Sequence, residues 1–393
     1  MTAYANSAEP LTDPTPPPPN PAALQPVGPQ LAPGPPQTPP CPGMTSDSNP
    51  SLRASAPADP FPTLDTPLTF QPILQHRVWG GSILASRFHK PPLPQDQPTG
   101  ESWEICDLES AVSTVSGGPL HGRPLDQLLQ QASDQLLGTA KPFQNRFPLL
   151  IKFLDARENL SVQVHPSDAY ARKANLPDVR VKHEAWYILH AEPDAGIYVD
   201  LRPQTTLDDL RQALRDNSTA SLLQFHPVAP GQCYYLPSGT LHALGAGVVV
   251  AEVQTPSDTT FRLYDWGRRG RELHIQQALD SIDLSRPWAP QPPQAIHRPG
   301  AQTAWRLATC PYFNIDEITL PPNTSLGNPT GQLRVLLVAA GQAELLTEPA
   351  PNTAEHAPLR LAAGQTILLP SACRPTAVRT GQQGITLLDV TLA

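Results

Sequence analysis

The sequence predicts a mainly β protein: two jelly-roll β-barrels, the first carrying a small helical insertion, preceded by a disordered proline-rich N-terminal tail. Three observations predict it. The segment Gly231-Gln-Cys-Tyr-Tyr-Leu-Pro237-Ser-Gly239-Thr-Leu-His242 recurs about 130 residues later as Gly364-Gln-Thr-Ile-Leu-Leu-Pro370-Ser-Ala372-Cys-Arg-Pro375, the mark of a duplicated unit. Each copy is a turn glycine, an apolar run suited to a buried strand, and a Pro-Ser-small turn into another strand. Residues 301–393 alternate short strand patterns with turns such as Pro321-Pro-Asn and Ala340-Gly341. The resulting division is a tail over 1–65, a first barrel over 66–290 and a degenerate second barrel over 300–393, the barrels joined by a proline-rich linker near Pro287–Pro299.

Roughly a third of the first sixty residues are proline, and Arg53 is their only basic residue, so this segment cannot bury enough apolar surface to offset its ordering entropy. It has no basic n-region, apolar h-region or Arg-rich amphipathic pattern, and so does not read as a signal or transit peptide. Met44, the second of two methionines, is a candidate start within it. Farther on, Leu125–Leu137 has amphipathic helical spacing and stops at Gly138. Leu160–Pro166 and Val181–Leu189 read as strands, with a short helix over Asp168–Ala174 between them. Leu207, Leu210 and Leu214 follow helical spacing behind a threonine cap. Val248–Glu252, Leu333–Ala339 and the terminal Gly384–Leu392 are apolar runs suited to buried strands.

The formal charge of the 393 residues is −8; four acids and Arg53 place −3 of it in the first sixty, leaving −5 on the rest. That balance argues against a nucleic-acid partner. No apolar run approaches the roughly 20 residues that span a bilayer. Cys41, Cys106, Cys233, Cys310 and Cys373 are odd in number and widely spaced, which argues against a disulfide framework or a thiolate zinc site and for a reducing, cytoplasmic setting. Nothing implies an obligate protein partner.

A residue just past a barrel turn can point inward. His242 takes that place in the first copy, and Pro375, which cannot ligate, takes it in the second. Upstream, strand alternation puts Ser161, Gln163 and His165 on one face and Val162 and Val164 on the other. It likewise groups Lys182 and Glu184 with Trp186, and turns His183 away. A lone histidine in such a strand is usually a satisfied core residue; beside Gln163, Glu184 and His242, His165 is better read as a ligand. Two imidazoles and two oxygen donors, Gln163, His165, Glu184 and His242, suit one Zn²⁺ per chain, and without thiolate the site would accept other divalent ions.

Gly-x5-Pro-x-Gly-x2-His over 231–242 resembles the second cupin signature, departing from it at Ala246, where cupins usually have Asn. The wider pattern resembles the compact bacterial form of the type I mannose-6-phosphate isomerase (phosphomannose isomerase) family. It begins at Gln71-Pro-Ile-Leu-Gln-His-Arg-Val-Trp79-Gly80-Gly81 and includes Thr99-Gly100-Glu101-Ser102-Trp103-Glu104 and Phe147–Asp155. It continues through the strands above to Glu252-Val-Gln-Thr-Pro-Ser-Asp258-Thr-Thr-Phe-Arg262-Leu-Tyr-Asp265-Trp and Arg271-Glu-Leu-His274. The resemblance implies two cupin barrels, zinc at the four positions named, and interconversion of mannose 6-phosphate and fructose 6-phosphate through an enediol. It also marks Arg262 as catalytic.

For proton transfer two candidates stand beside Arg262. Lys182 faces the ligand cavity, where a neighbouring cation and partial burial are expected to lower its pKa. Glu252 ends a buried strand, where a carboxylate needs a partner; Arg262 or Lys182 is expected to supply it. Ser161 is a candidate donor to the substrate phosphate and Lys152 a candidate to balance its charge. A competing reading is a bicupin that binds a sugar phosphate without turning it over; a structural metal has no need of Arg262 or Lys182. A cupin oxygenase commonly uses a His-x-His pair, and this chain has Gln163-x-His165.

Overall fold

The computed structural model describes residues 61–94, 97–174, 181–351 and 357–393. The expected disorder of the tail, Met44 as a start and Cys41 lie outside them. Residues 61–65, assigned to the tail from sequence, belong to the fold: Leu64 is fully buried and Asp65 pairs with Arg374 at 3.1 Å. One apolar side chain reaching a core is enough to order a chain entry that composition alone marks as tail.

Eleven strands build the first barrel: β1 (Ile73–Gly81), β2 (Thr99–Ile105), β3 (Leu150–Ala156), β4 (Val162–Val164), β5 (Glu184–Ala191), β6 (Gly196–Leu201), β7 (Leu223–Pro227), β8 (Cys233–Leu236), β9 (His242–Leu244), β10 (Val248–Gln254) and β11 (Phe261–Tyr264). They form a six-stranded sheet, β1-β2-β3-β10-β5-β8, and a five-stranded sheet, β11-β4-β9-β6-β7. Leu154, Trp186, Ile188 and Val250 of the first sheet meet Ile197, Val199 and Leu244 of the second in one buried cluster. Helices α1 (Ile83–Phe88), α2 (Leu125–Leu137), α3 (Asp168–Ala174), α4 (Leu207–Arg215) and α5 (Ile275–Ser281) fill the connections. Thr206 and Asp209 form a reciprocal capping box on α4, which satisfies two backbone N–H groups that the first turn leaves open.

The second barrel comprises β12 (Gln294–Ala295), β13 (Thr303–Thr309), β14 (Phe313–Leu320), β15 (Ser325–Asn328), β16 (Arg334–Thr347), β17 (Leu359–Ala362), β18 (Thr366–Leu369), β19 (Thr376–Arg379) and β20 (Ile385–Leu392). The long β16 pairs with β18 and β20 through its first half and with β17 and β19 through its second, curling the sheet around Leu336, Val338, Ile367 and Leu387. The linker is built into the fold: β12 pairs with β13, Trp288 N donates to Asp200 Oδ2 at 2.6 Å, and Trp288 Nε1 donates to Tyr235 O at 2.7 Å.

The largest core lies between the barrels. Phe153, Ala185, Tyr187, Val249 and Ala251 project from the back of the six-stranded sheet into the same cluster as Phe313, Ile315, Val335 and Leu388, with α2 closing one side. Each large apolar side chain removed from water there contributes about 1.5–3 kcal/mol. Polar bonds add direction: Tyr187 Oη donates to Glu317 Oε2 at 2.6 Å, and the buried Lys90 binds Glu104 Oε2 at 2.7 Å and Gly364 O at 2.6 Å.

Candidate metal centre and sugar-phosphate cleft

The period of two along β-strands delivers the polar residues to one interior. Gln163 on β4 is the register partner of His242 on β9 and of Arg262 on β11, while Glu184 opens β5 on the facing sheet. One ligand atom from each of His165, Glu184 and His242 lies within 4.8 Å of the others, and all three residues are buried. His165 Nε2 is 3.2 Å from Glu184 Oε2 and His242 Nε2 is 3.1 Å from Glu184 Oε1.

Both imidazoles turn Nδ1 to a backbone carbonyl, His165 to Thr259 O at 3.0 Å and His242 to Thr240 O at 2.9 Å. An Nδ1–H donating there leaves the Nε2 lone pair facing the cluster, the arrangement a metal ligand needs. Burial, helped by the nearby Lys182 charge, lowers the His165 pKa to about 3, so the ring is neutral. Burial alone would raise the Glu184 carboxyl; Lys182, His165 and His242 outweigh it and hold the group well below the usual carboxylate range. His165 Nε2 and both Glu184 oxygens are buried without a well-directed hydrogen bond, a costly state that a divalent cation relieves. Gln163 Nε2 lies 3.3 Å from His242 Nε2, and turning the amide over presents Oε1 at the same place as a fourth donor. The residues present fit a Zn²⁺-type ion.

Beyond this cluster opens a cleft of about 480 Å³. Ser161, Gln163, Lys152, Lys182, Glu252 and Arg262, all singled out from sequence, line it. Lys182 Nζ is 2.8 Å from Glu184 Oε2. The expected drop in its pKa is not what the protein's own charges produce: burial pushes it down, but Glu184, Glu252 and Glu101 outweigh burial and hold it above the usual lysine value. The partner of Glu252 also differs from expectation. Its Oε2 accepts from Trp186 Nε1 at 2.8 Å, and its Oε1 lies 3.6 Å from Lys152 Nζ. Lys152 sits over the Trp103 ring, 4.9 Å from its centroid. Arg262 donates from Nη1 to Glu272 O at 2.8 Å, while its Nε is buried without a partner. His183 points away as expected, its Nδ1 2.7 Å from Tyr235 Oη and its ring against Tyr312 of the second barrel.

The wall also holds Arg77, Glu101, Asp258 and Arg271, to which sequence reasoning attached no role. Glu101 accepts from Arg77 Nε at 2.7 Å and Trp103 Nε1 at 2.6 Å. The signal was present, since each lies inside a quoted motif; what was missing is that β1, β2 and the β11–α5 connection meet at one end of the cleft. Among the described residues, none of the second barrel lines it. That barrel packs on the back of the sheet, so of the two roles open to a barrel without ligands, bracing and covering, the contacts support bracing.

Residues 68–210 match the family described as phosphomannose isomerase type I, catalytic domain. The chain is 35% identical over 267 residues to the mannose-6-phosphate isomerase ManA of Bacillus subtilis, covering 66% of this chain and 81% of that one. It is 35% identical over 286 residues to the mannose-6-phosphate isomerase of Streptococcus mutans, covering 71% and 86%. A crystal structure of the mannose 6-phosphate isomerase from Bacillus subtilis superposes with a TM-score of 0.73 at 28% identity, over 83% of this chain and 99% of that one. A mannose 6-phosphate isomerase bound with zinc and yttrium shares the fold, with a TM-score of 0.62 at 17% identity over 84% of this chain and all of that one. Among the described residues no helix is long and apolar enough to cross a membrane. The chain belongs to the type I mannose-6-phosphate isomerase family and is an enzyme of that activity.

Proposed function

We propose that the chain is a zinc-dependent aldose–ketose isomerase that interconverts mannose 6-phosphate and fructose 6-phosphate through an enediol, with Gln163, His165, Glu184 and His242 holding one Zn²⁺. The observation that carries this reading is the buried His165–Glu184–His242 cluster beside a cleft that contains carboxylates and several fixed cations, the two joined by Gln163 against His242 and Lys182 against Glu184. When bound, the ion supplies Lewis acidity toward the sugar oxygens.

The protein's own groups do the rest. Glu252 Oε1 faces the cleft with an ion-pair contact to Lys152 but no hydrogen bond, and takes the proton from C1 or C2 before returning it to the other carbon. Lys182, held protonated by its carboxylate neighbours, donates toward the developing hydroxyl oxygen. Arg262, always charged and with an open Nε–H, stabilises the negative charge that develops as the enediol forms. Ser161 and Lys152 bind the substrate away from the reacting carbons, Ser161 as a donor and Lys152 as a counter-charge. The first barrel, 66–290, carries this chemistry, and residues 300–393 brace it.

The test is conversion of mannose 6-phosphate to fructose 6-phosphate by purified protein, before and after chelation and with zinc restored. Turnover lost on chelation and regained with zinc is expected. No turnover with zinc fully bound would favour the non-catalytic sugar-phosphate binder.

A further inference from the structure

Among the described residues β11 is an edge strand of the five-stranded sheet, paired with β4 on one side only. An edge strand leaves alternate N–H and C=O groups without a ladder partner, and each must find another or stay exposed. At Arg262 a single residue takes both. Arg262 N donates to His274 Nδ1 at 3.3 Å, and His274 N donates to Arg262 O at 2.7 Å. Because both groups of Arg262 point to the open edge, its cross-strand partner Gln163 belongs to a pair without mutual backbone bonds, the kind whose side chains lie closer.

The connection after β11 is built to bring His274 back to this place. Gly267 and Gly270, at φ of 79° and 89°, supply the left-handed turns that reverse the chain. Arg268 Nη2 and Arg271 Nη1 close the turn on one oxygen, Asp265 Oδ1, at 2.8 and 3.2 Å. His274 is then the N-cap residue of α5, and Ala278 and Leu279 of that helix are buried in one cluster with Phe261 and Leu263 of β11. The imidazole lies 6.2 Å from the Phe261 ring, between the helix it opens and the strand it edges.

The same segment receives the arginine side chain. Arg262 Nη1 donates to Glu272 O at 2.8 Å, while Nε is buried without a partner. A guanidinium is planar with its donors in a fixed fork, so holding one Nη sets the rotation of the whole group. With Nη1 turned to the carbonyl, the edge that carries Nε–H is left for a ligand in the cleft that Arg262 lines. The Glu272 carbonyl is in reach because His274, two residues on, is pinned to the Arg262 backbone through both its main chain and its ring.

We infer that His274 is a positioning residue for Arg262: it closes the open edge of β11 at that residue and carries the Glu272 carbonyl to the guanidinium, which presents Nε–H to the substrate. The inference rests on the isomerase reading, in which Arg262 stabilises the charge that develops as the enediol forms. The run Arg271-Glu-Leu-His274 thereby gains a function that spacing alone does not show.

The test measures kcat, KM and bound zinc for His274→Phe and His274→Asn, with His274→Phe also made in the Arg262→Ala background. Phenylalanine keeps a ring against Phe261 and removes the acceptor; asparagine restores an acceptor close to the place of Nδ1. His274→Phe should lower kcat about 10-fold, the order expected when a hydrogen bond that holds a charged group is lost, with KM and zinc content little changed. His274→Asn should recover most of that loss. In the Arg262→Ala background His274→Phe should change kcat by less than about twofold, because no guanidinium is left to position. A kcat for His274→Phe within about threefold of the parent would overturn the inference. So would an equal loss with and without Arg262, since residue 274 would then act on another group. If the phenylalanine variant does not fold, His274→Ala is read by the same criteria. A zinc-loaded parent without turnover, or Arg262→Ala with a normal kcat, would overturn the isomerase reading of Arg262 and this inference with it.

Discussion

One sheet of the first barrel, β2-β3-β10-β5-β8, and its counterpart in the second, β13-β14-β20-β16-β18, correspond in register, and the residues that differ show how two interiors of one plan handle buried charge. Glu184 pairs with Leu236 and Gln254; Arg334 pairs with Leu369 and Thr391, and Leu236 and Leu369 are the same position of the sequence repeat. Arg334 therefore stands where the first barrel has Glu184. By the same register Asp389 answers to Glu252, Asp316 to Lys152 and Arg306 to Trp103. The first interior gathers Glu184, one oxygen of which meets Lys182 Nζ at 2.8 Å, with two imidazoles whose Nε2 atoms lie 3.2 and 3.1 Å from it. The second supplies its cation covalently: Arg334 binds Asp389, Arg298 reaches the same oxygen at 2.6 Å, and Arg306 binds Asp316. A buried carboxylate must be neutralised in either case. An exchangeable ion leaves a site open to ligand, whereas a guanidinium fills it.

The comparison can be broken first at the metal end. His242→Ala should lose bound zinc and activity together, read by metal analysis and turnover, whereas Arg262→Ala should keep one zinc per chain while kcat falls by about 10²–10³-fold. A normal kcat in Arg262→Ala would remove that residue from the chemistry, and zinc retained by His242→Ala would mean that the site is misplaced.

In the second barrel the corresponding loss is one of stability. Arg334→Ala leaves Asp389 buried with only Arg298 beside it, and denaturant unfolding should show a loss near the lower end of the ~3–5 kcal/mol typical of a broken buried pair. Zinc content per folded chain should not change. If chelation and Arg334→Ala destabilised the same transition by the same amount, the division between an ion and a built-in cation would be wrong.

The repeat glycines sharpen the contrast on a smaller scale. Gly231 and Gly364 have φ of 89° and 88°, so alanine costs about 1–2 kcal/mol of left-handed backbone at either site. At Gly231 a Cβ meets open space, whereas at Gly364 it runs into Phe88 of α1. Gly364→Ala should therefore lower Tm by more than Gly231→Ala; equal shifts would mean that the second hairpin is not seated on α1.

The smallest effect concerns pH. Burial alone would raise the Glu101 carboxyl above its ordinary 4.5, but Lys152 and Arg77, with hydrogen bonds from Trp103 and Arg77, outweigh burial and depress it. A depressed carboxylate contributes stability above the unfolded value and loses it as pH falls through the folded one. The thermal midpoint should drop on acidification below about pH 4.5, and Arg77→Gln should reduce the Glu101 contribution to that drop. An unchanged acid profile in Arg77→Gln would remove Arg77 as a determinant.

Much of this was legible in one dimension. The turn glycine, apolar run and Pro-Ser turn repeat locally, and strand period alone puts Gln163 with His165 and Lys182 with Glu184, so the residues that meet in the His165–Glu184–His242 cluster could be picked out by spacing and donor chemistry. The helices Leu125–Leu137 and Leu207–Arg215 were equally readable, because caps and 3.6-residue spacing act within a few residues. Proline at 375 showed that the second copy had lost its histidine.

Only the tertiary structure decided the rest. Arg334 opposite Leu369, Lys152 rather than Arg262 beside Glu252, and Arg77 facing the same space as Arg271 all depend on pairings between distant strands. The docking of the second barrel behind the cleft depends on apolar faces that composition does not rank. Alternation along a strand specifies a face; register across strands and the packing of sheets specify what that face meets, and those come from the whole chain closing on itself.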